Sequence, residues 1–296
     1  VEGTSPFTDY VVSVYGVNIA GIGQQSVTDP FQLNYNKATG GTESIKDNYN
    51  GTTEKWKVHT FTGDGTFTVG SAPKDFRVLV VGGGGTSIYS LNAGQGGGGA
   101  GGMLTDDALS LTSGSAHTVT IGAGGTGANP QNGENTTAFG LTAIGGGHGA
   151  YREPGGVQIG PGSGGSGGGE SRNNGGAGGA GTAGQGFQGG PGSAADHGGG
   201  GGADGPGGTS FNGPGKASNI TGSNVTYARG GGNDGWDGSQ QYGAGGNFAG
   251  LAAQPGVVIV AYQIGTSTTR EIAQAQAEAA AREAGYETGY DVGVAD

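Results

Sequence analysis

The run of glycine between Val80 and Gly250 constrains this chain more than any other feature. It is entered from an apolar strand, Phe76-Arg77-Val78-Leu79-Val80-Val81, and left through a second, Val257-Val258-Ile259-Val260-Ala261-Tyr262. Each glycine removes a packing side chain and adds backbone entropy that folding must overcome, so neither an ordinary helix nor an ordinary sheet can be drawn through the run. Flexible linkers mix glycine with Ser, Glu or Lys in low-hydrophobicity repeats. Here runs such as 96–102 alternate instead with compact apolar or turn-like inserts. The tracts 94–102, 145–149, 160–169, 175–192, 198–208 and 230–250 suit extended polyproline-II-like strands lying side by side. Glycine would let those backbones approach closely and add weak Cα–H···O contacts beside ordinary hydrogen bonds.

Composition then narrows the classes. Glycine supplies 76 of 296 residues, so a side-chain core cannot fill the whole length. Collagen needs a strict Gly-X-Y period and far more than the 10 prolines present. The absence of cysteine removes disulfides and thiolate metal sites. A net charge of −11 with 12 Lys+Arg argues against nucleic acid as a partner and against anionic lipid surfaces. No apolar run approaches the roughly 20 residues that span a bilayer, so membrane insertion is not expected, and no secretory signal pattern is visible. A chain opening on Val1 is expected to be a piece of something longer.

In order along the chain, residues 1–36 carry two alternating runs, Pro6 to Gly21 and Thr28 to Tyr35. Residues 37–54 are polar and rich in glycine and asparagine, which reads as a linker. Residues 55–264 form a glycine-rich domain whose strand signals are Trp56 to Phe61, Thr66 to Val69, Phe76 to Val81, Met103 to Thr105, Ala116 to Gly122, Thr137 to Phe139, Leu141 to Ile144 and Val257 to Tyr262. That is enough strand for a small β-sandwich. In 265–296, Thr268 to Glu271 is a capping box and 272–284 is Ala-rich, so a short α-helix is expected, docked on a neighbouring chain, leading to a further domain, or exposed.

The run Asp9-Tyr10-Val11-Val12-Ser13-Val14-Tyr15-Gly16-Val17-Asn18, followed by Thr28 to Tyr35, resembles the last two strands of a fibronectin type III domain. Tyr10 stands where that family places its corner tyrosine. A generic hairpin remains the alternative, and either the rest of the sandwich lies upstream or a neighbouring chain supplies it. A second resemblance covers about 210 residues. Val78-Leu79-Val80-Val81 before Gly82 to Gly85, then 96–104, 119–125 and 142–147, are similar to the glycine-rich domain of bacteriophage tail and fibre proteins. The long tracts resemble the tip adhesins of T-even-like long tail fibres. That family folds as a lattice of polyglycine II helices with receptor-binding loops at one end. The resemblance implies an extracellular virion protein of the tail or fibre. Its partners would be a host surface glycan or outer-membrane protein and other fibre subunits, including copies of itself.

Catalytic and cofactor motifs are weak by comparison. Val78 to Thr86 opens like a dinucleotide fingerprint, but Ser87 stands at the third glycine and no helix pattern follows. Gly231 to Gly238 has a calcium-loop flavour without the repeat that would sustain it. His148 and His197 stand alone in glycine tracts. No enzyme activity, cofactor or metal is expected. The inserts that interrupt the tracts are the places able to recognise anything. The candidate receptor-binding residues are Tyr151, Arg152, Tyr227, Arg229, Trp236, Asp237 and Tyr242, because aromatic faces beside polar groups suit sugars or peptide loops. Phe187 and Phe211 are read as small cores beneath the loops. The expected fold is therefore mostly β: a small β-sandwich extended by packed polyglycine II helices, with a partial fibronectin hairpin before it and a short C-terminal α-helix after it. A structural fibre or decoration subunit without a receptor is the alternative function.

Overall fold

A computed structural model describes residues 17–18, 21–22, 38–70, 75–88, 95–126, 129–152, 157–172, 174–232, 241–247 and 252–266. The protein is mostly β. Two short strands, β1 (Val17–Asn18) and β2 (Gly21–Ile22), pair with each other. The next segments are β3 (Ala38–Thr39), β4 (Thr42–Lys46), a 3-10 turn at Tyr49–Gly51, β5 (Glu54–Phe61), β6 (Gly65–Val69), β7 (Phe76–Val81), β8 (Met103–Leu109) and β9 (Ala116–Val119). Three small hairpins follow, β10 (Thr136–Ala138) with β11 (Leu141–Ala143), β12 (Tyr151–Arg152) with β13 (Gln158–Ile159), and β14 (Lys216–Ser218) with β15 (Val225–Tyr227). Among the described residues the last strand, β16 (Val257–Thr266), is also the longest.

Two antiparallel sheets organise the side-chain-rich half. One has the order β4-β5-β16-β7-β8 and the other β3-β6-β9. The central strands β7 and β16 are apolar at nearly every position because both of their faces are covered. Phe76, Val78 and Val80 of β7 join Val258, Val260 and Tyr262 of β16 in a cluster with Phe67, Val69 and Val119 from the other sheet. The alternate residues Leu79, Val81, Val257, Ile259 and Ala261 enter a second cluster with Tyr49, Ala100, Met103, Ala203, Ile220 and Tyr227. Both clusters thus share the same two strands. Aromatic rings meet edge to face in the first, with Phe67 5.7 Å from Phe76 and 5.6 Å from Phe139.

The strands then run directly into glycine. Residues 82–86 continue β7, 144–150 continue β11, 96–102 lead into β8 and 252–256 lead into β16. Within 96–102 the hydrogen bonding repeats every three residues. Gly96, Gly99 and Gly102 donate to Ala150, Gly147 and Ile144; Gly97 and Ala100 donate to Gly198 and Gly201; Gly98 and Gly101 donate to Gly246 and Gly243, all at 2.7 to 3.0 Å. The same tract accepts from Gly82 and Gly85, from Ser166 and Gly169, and from Gly231. It is therefore bonded to six neighbouring backbone segments, three through its donors and three through its acceptors.

Two further tracts repeat this pattern. Gly82 and Gly85 donate to 102 and 99, Gly83 and Thr86 to 134 and 131, and Gly84 to 254, while the tract accepts from 146 and 149, from 125 and from 246. Gly198 and Gly201 donate to 170 and 167, Gly199 and Gly202 to 208 and 205, and Gly200 and Ala203 to 231 and 228; acceptance comes from 97 and 100, from 187 and 190, and from 213. Buried backbone groups must be paired, and here they are paired with other backbones in several directions instead of within one sheet plane.

Close approach, not unusual torsion, is why these positions are glycine. None in 82–85, 96–102 or 198–202 has a left-handed φ. A Cβ on Gly96 would run into the Gly169 carbonyl, and one on Gly200 into the Gly98 carbonyl. Where a neighbouring tract is missing, an amide side chain takes its place. Asn135 Oδ1 accepts from Gly145 N and Asn132 Oδ1 from His148 N, both at 2.9 Å, three residues apart. Gln185 does the same with Oε1 to Ile144 N at 2.9 Å, while its Nε2 donates to Thr142 O at 3.1 Å.

The structure corrects the expected linker at 37–54, which forms β3, β4 and the 3-10 turn. Thr42–Lys46 was hidden because its one aliphatic residue, Ile45, is 54 % exposed on an edge strand. Gly265 and Thr266, expected to open the helical segment, are strand in β16. The remainder of the expected C-terminal helix, and the fibronectin-like strands apart from Val17–Asn18 and Gly21–Ile22, lie outside the described residues.

Candidate recognition surface

The inserts between tracts divide sharply by exposure. Phe211 is 67 % exposed and Phe187 46 %, whereas Tyr227 is 2 % exposed. This reverses the sequence reading, which placed the phenylalanines in small cores and Tyr227 at the surface. Tyr227 ends β15 and belongs to the second apolar cluster with Ile220, Ala203 and Val81. Burial, with nearby Tyr242, pushes its phenol up to about 12. A side chain so enclosed cannot contact a receptor without local opening. Tyr242 is half-buried and packs against the same cluster. Tyr151 is half-buried in β12 opposite Ile159, next to Arg152 in the same strand. Arg229 is half-buried at the end of the Tyr227 segment. Trp236 and Asp237 lie outside the described residues. The structure thus keeps Tyr227 and Tyr242 together, Tyr227 inside the second cluster and Tyr242 half-buried against it.

Phe187 lines a groove of about 650 Å³ with Met103, Gln188, Pro206 and Lys216, within the size range of small-ligand sites. Its exposure was legible in principle. Gly186, Gly189 and Gly190 flank it closely and offer no side chains to bury a ring against. The Phe187 backbone is held by neighbouring tracts, its N donating to Gly202 O at 3.1 Å and its O accepting from Gly167 N at 3.0 Å.

Several titratable groups elsewhere serve structure. Gln95 N donates to His197 Nδ1 at 3.0 Å, and burial together with Arg172 holds the His197 imidazole below its ordinary value. Glu170 is 4 % exposed, with Oε1 accepting from Ser171 N at 2.7 Å, Ser171 Oγ at 3.0 Å and Gln158 Nε2 at 3.4 Å. On the sheet edge Ser115 Oγ lies 2.7 Å from His117 Nε2, but the same hydroxyl donates to Thr112 O at 2.5 Å, which commits its single proton to the turn. Among the described residues no group of three or more His, Asp or Glu side chains could hold a metal ion.

Exposed aromatic rings on a body of hydrogen-bonded glycine tracts define a glycine-rich β protein. Residues 59–270 match the family described as glycine-rich domain, and the chain belongs to that family. No curated protein matches the chain.

Proposed function

We propose that this protein is part of a bacteriophage virion appendage, of the tail-fibre or adhesin type, and that it recognises a host cell surface through loops on a rigid glycine scaffold. In this reading the two sheets are a β-sandwich, and the tracts that extend it are polyglycine II helices. The observation that carries it is the three-residue repeat of donors in 96–102, toward three separate neighbours. A threefold extended helix turns each successive N–H by about 120°, which is the geometry such a repeat needs. Stiffness follows because the runs 82–86, 96–102 and 198–203 are each tied to neighbours on six sides. A stiff body suits presentation of loops, since contacts made by preordered groups lose less entropy on binding.

Support for recognition comes from the exposed aromatics and from the resemblance to phage fibre proteins. The reading set is Tyr151, Arg152, Arg229, Trp236, Asp237 and Tyr242, with Phe187 and Phe211 added and Tyr227 withdrawn to the core. The receptor class is a surface glycan or an outer-membrane protein, and the protein acts outside the cell on the virion. The test is binding of the labelled chain to bacterial cells and its competition with phage adsorption. Alanine at Phe187, Phe211 and Trp236 should abolish binding with the thermal transition unchanged. Full binding by that triple variant would remove the loops as readers, leaving a structural fibre subunit as the better account.

A further inference from the structure

Four Asn-Gly pairs occur in the chain: Asn50-Gly51, Asn132-Gly133, Asn174-Gly175 and Asn212-Gly213. Asn-Gly is the sequence most prone to spontaneous deamidation, because no side chain hinders attack by the following backbone nitrogen on the asparagine Cγ. The reaction needs that nitrogen free to swing toward the side chain. In three of the four pairs it is held. Gly51 N donates to Asn48 O at 2.9 Å, Gly133 N to Gly146 O at 2.8 Å and Gly213 N to Gly200 O at 2.8 Å. Two of the asparagine side chains are held as well. Asn132 accepts from His148 N and donates to Ser163 O at 3.0 Å, and Asn212 Nδ2 donates to Gly230 O at 3.0 Å.

The fourth pair differs at the amide: Asn50-Gly51 is also exposed, with Gly51 at φ +78°, but its nitrogen is bonded. Asn174 and Gly175 are both exposed, at a turn where Gly175 has φ +60°, and neither the Gly175 amide nor the Asn174 side chain has a hydrogen-bond partner among the described residues. We propose that Asn174-Gly175 is a built-in deamidation site, selected from four equivalent sequences by backbone hydrogen bonding at the other three. The Gly175 nitrogen gives its proton to water and bonds to Asn174 Cγ, and the bond from Cγ to the side-chain nitrogen breaks with loss of ammonia. Water then opens the resulting succinimide at either carbonyl, leaving aspartate or isoaspartate and no change of oxidation state. The product is a new carboxylate near an old one. A Cβ built on Gly176 would lie 2.7 Å from Glu170 Oε2 and 3.5 Å from Asn174 Nδ2, so both groups border the same glycine. Like charges there disfavour the turn that leads into 175–181.

The experiment is to age the whole chain in mildly alkaline buffer made with heavy-oxygen water and to locate label by fragmentation mass spectrometry. Asn174 should convert about tenfold faster or more than Asn132 and Asn212, whose reaction must wait for local opening. In the denatured chain the four pairs should convert at similar rates. The variant Asn174→Gln should lose the fast phase while keeping the thermal transition. Conversion of Asn132 or Asn212 at the rate of Asn174 in the folded chain would overturn the proposal, as would a fast phase that survives in Asn174→Gln.

Discussion

The Gly99 amide donates to the Gly147 carbonyl at 2.7 Å, and the residues on either side of Gly99 donate to two other tracts. Steric exclusion of side chains along such a tract sets the first prediction. A Cβ on Gly200 meets the Gly98 carbonyl, while one on Gly63 or Gly160 meets nothing within 4 Å, and none of the three has a left-handed φ. Gly200→Ala should therefore lower stability by about 3 kcal/mol or more, through overpacking against backbone that cannot rotate away. Gly63→Ala and Gly160→Ala should stay within about 0.5 kcal/mol. Denaturant unfolding of the three variants measures the contrast.

Side-chain amides that replace a missing tract predict a local effect. Asn135→Ala leaves Gly145 N without its acceptor, at a cost of about 1–3 kcal/mol for a buried donor. Amide exchange should accelerate at Gly145 before it does at Gly146, whose donor goes to Gly83 O at 2.8 Å.

Much of this architecture was readable from the residues. β5, β6, β7, β9 and β16 announce themselves by alternation or by an unbroken apolar run, and the glycine tracts by their density. β4 did not, because none of its residues is buried and an edge strand without a buried face needs no apolar alternation; its one aliphatic residue, Ile45, is exposed. Nor could ring placement be read from residue type. Val225-Thr226-Tyr227 reads the same whether the tyrosine faces solvent or the cluster of Ile220 and Ala203. Phe187 was misplaced for the opposite reason, that a large apolar ring was weighed without asking which side chains could cover it.

A buried histidine predicts a pH window. His59 is 0 % exposed, stacked 5.7 Å from Tyr262 and edge-on 5.2 Å from Phe67, with Nδ1 donating to Gly40 O at 2.8 Å. Its Nε2 has no partner. Burial lowers its pKa; the Gly40 bond and Glu43, 3.7 Å away, act upward, and Lys57 acts downward with burial. The neutral ring is thus the folded form. The unfolded chain binds a proton first, near pH 6.5, so stability is full above that value and falls as pH drops below it, with a slope of up to about 1.4 kcal/mol per pH unit. His59→Gln should flatten the slope in that window. Glu43 acts in a lower one. Burial alone would raise its carboxyl, but Lys57 at 2.6 Å, with His59 and Gly40, holds it down, so its contribution is lost only below about pH 4.5.

Arg77 ties the sheet to an insert of the glycine region. Its guanidinium donates to Tyr49 Oη at 2.8 Å, Asp107 Oδ1 at 2.8 Å and Asn219 Oδ1 at 3.0 Å, and Tyr49 Oη donates to Ile220 O at 2.8 Å. Tyr49→Phe should cost about 1–2 kcal/mol by leaving that carbonyl unpaired. Combined with Arg77→Ala it should cost less than the two single changes added together, since both remove the same bond. A double-mutant cycle reads this directly.

Amide hydrogen exchange at residues 96–102 and 198–202 tests the ordered-tract account most directly. Slow exchange there, on a par with β7 and β16 and lost only on global unfolding, is the predicted result. Exchange at the rate of an unfolded chain, with the two strands still protected, would contradict it.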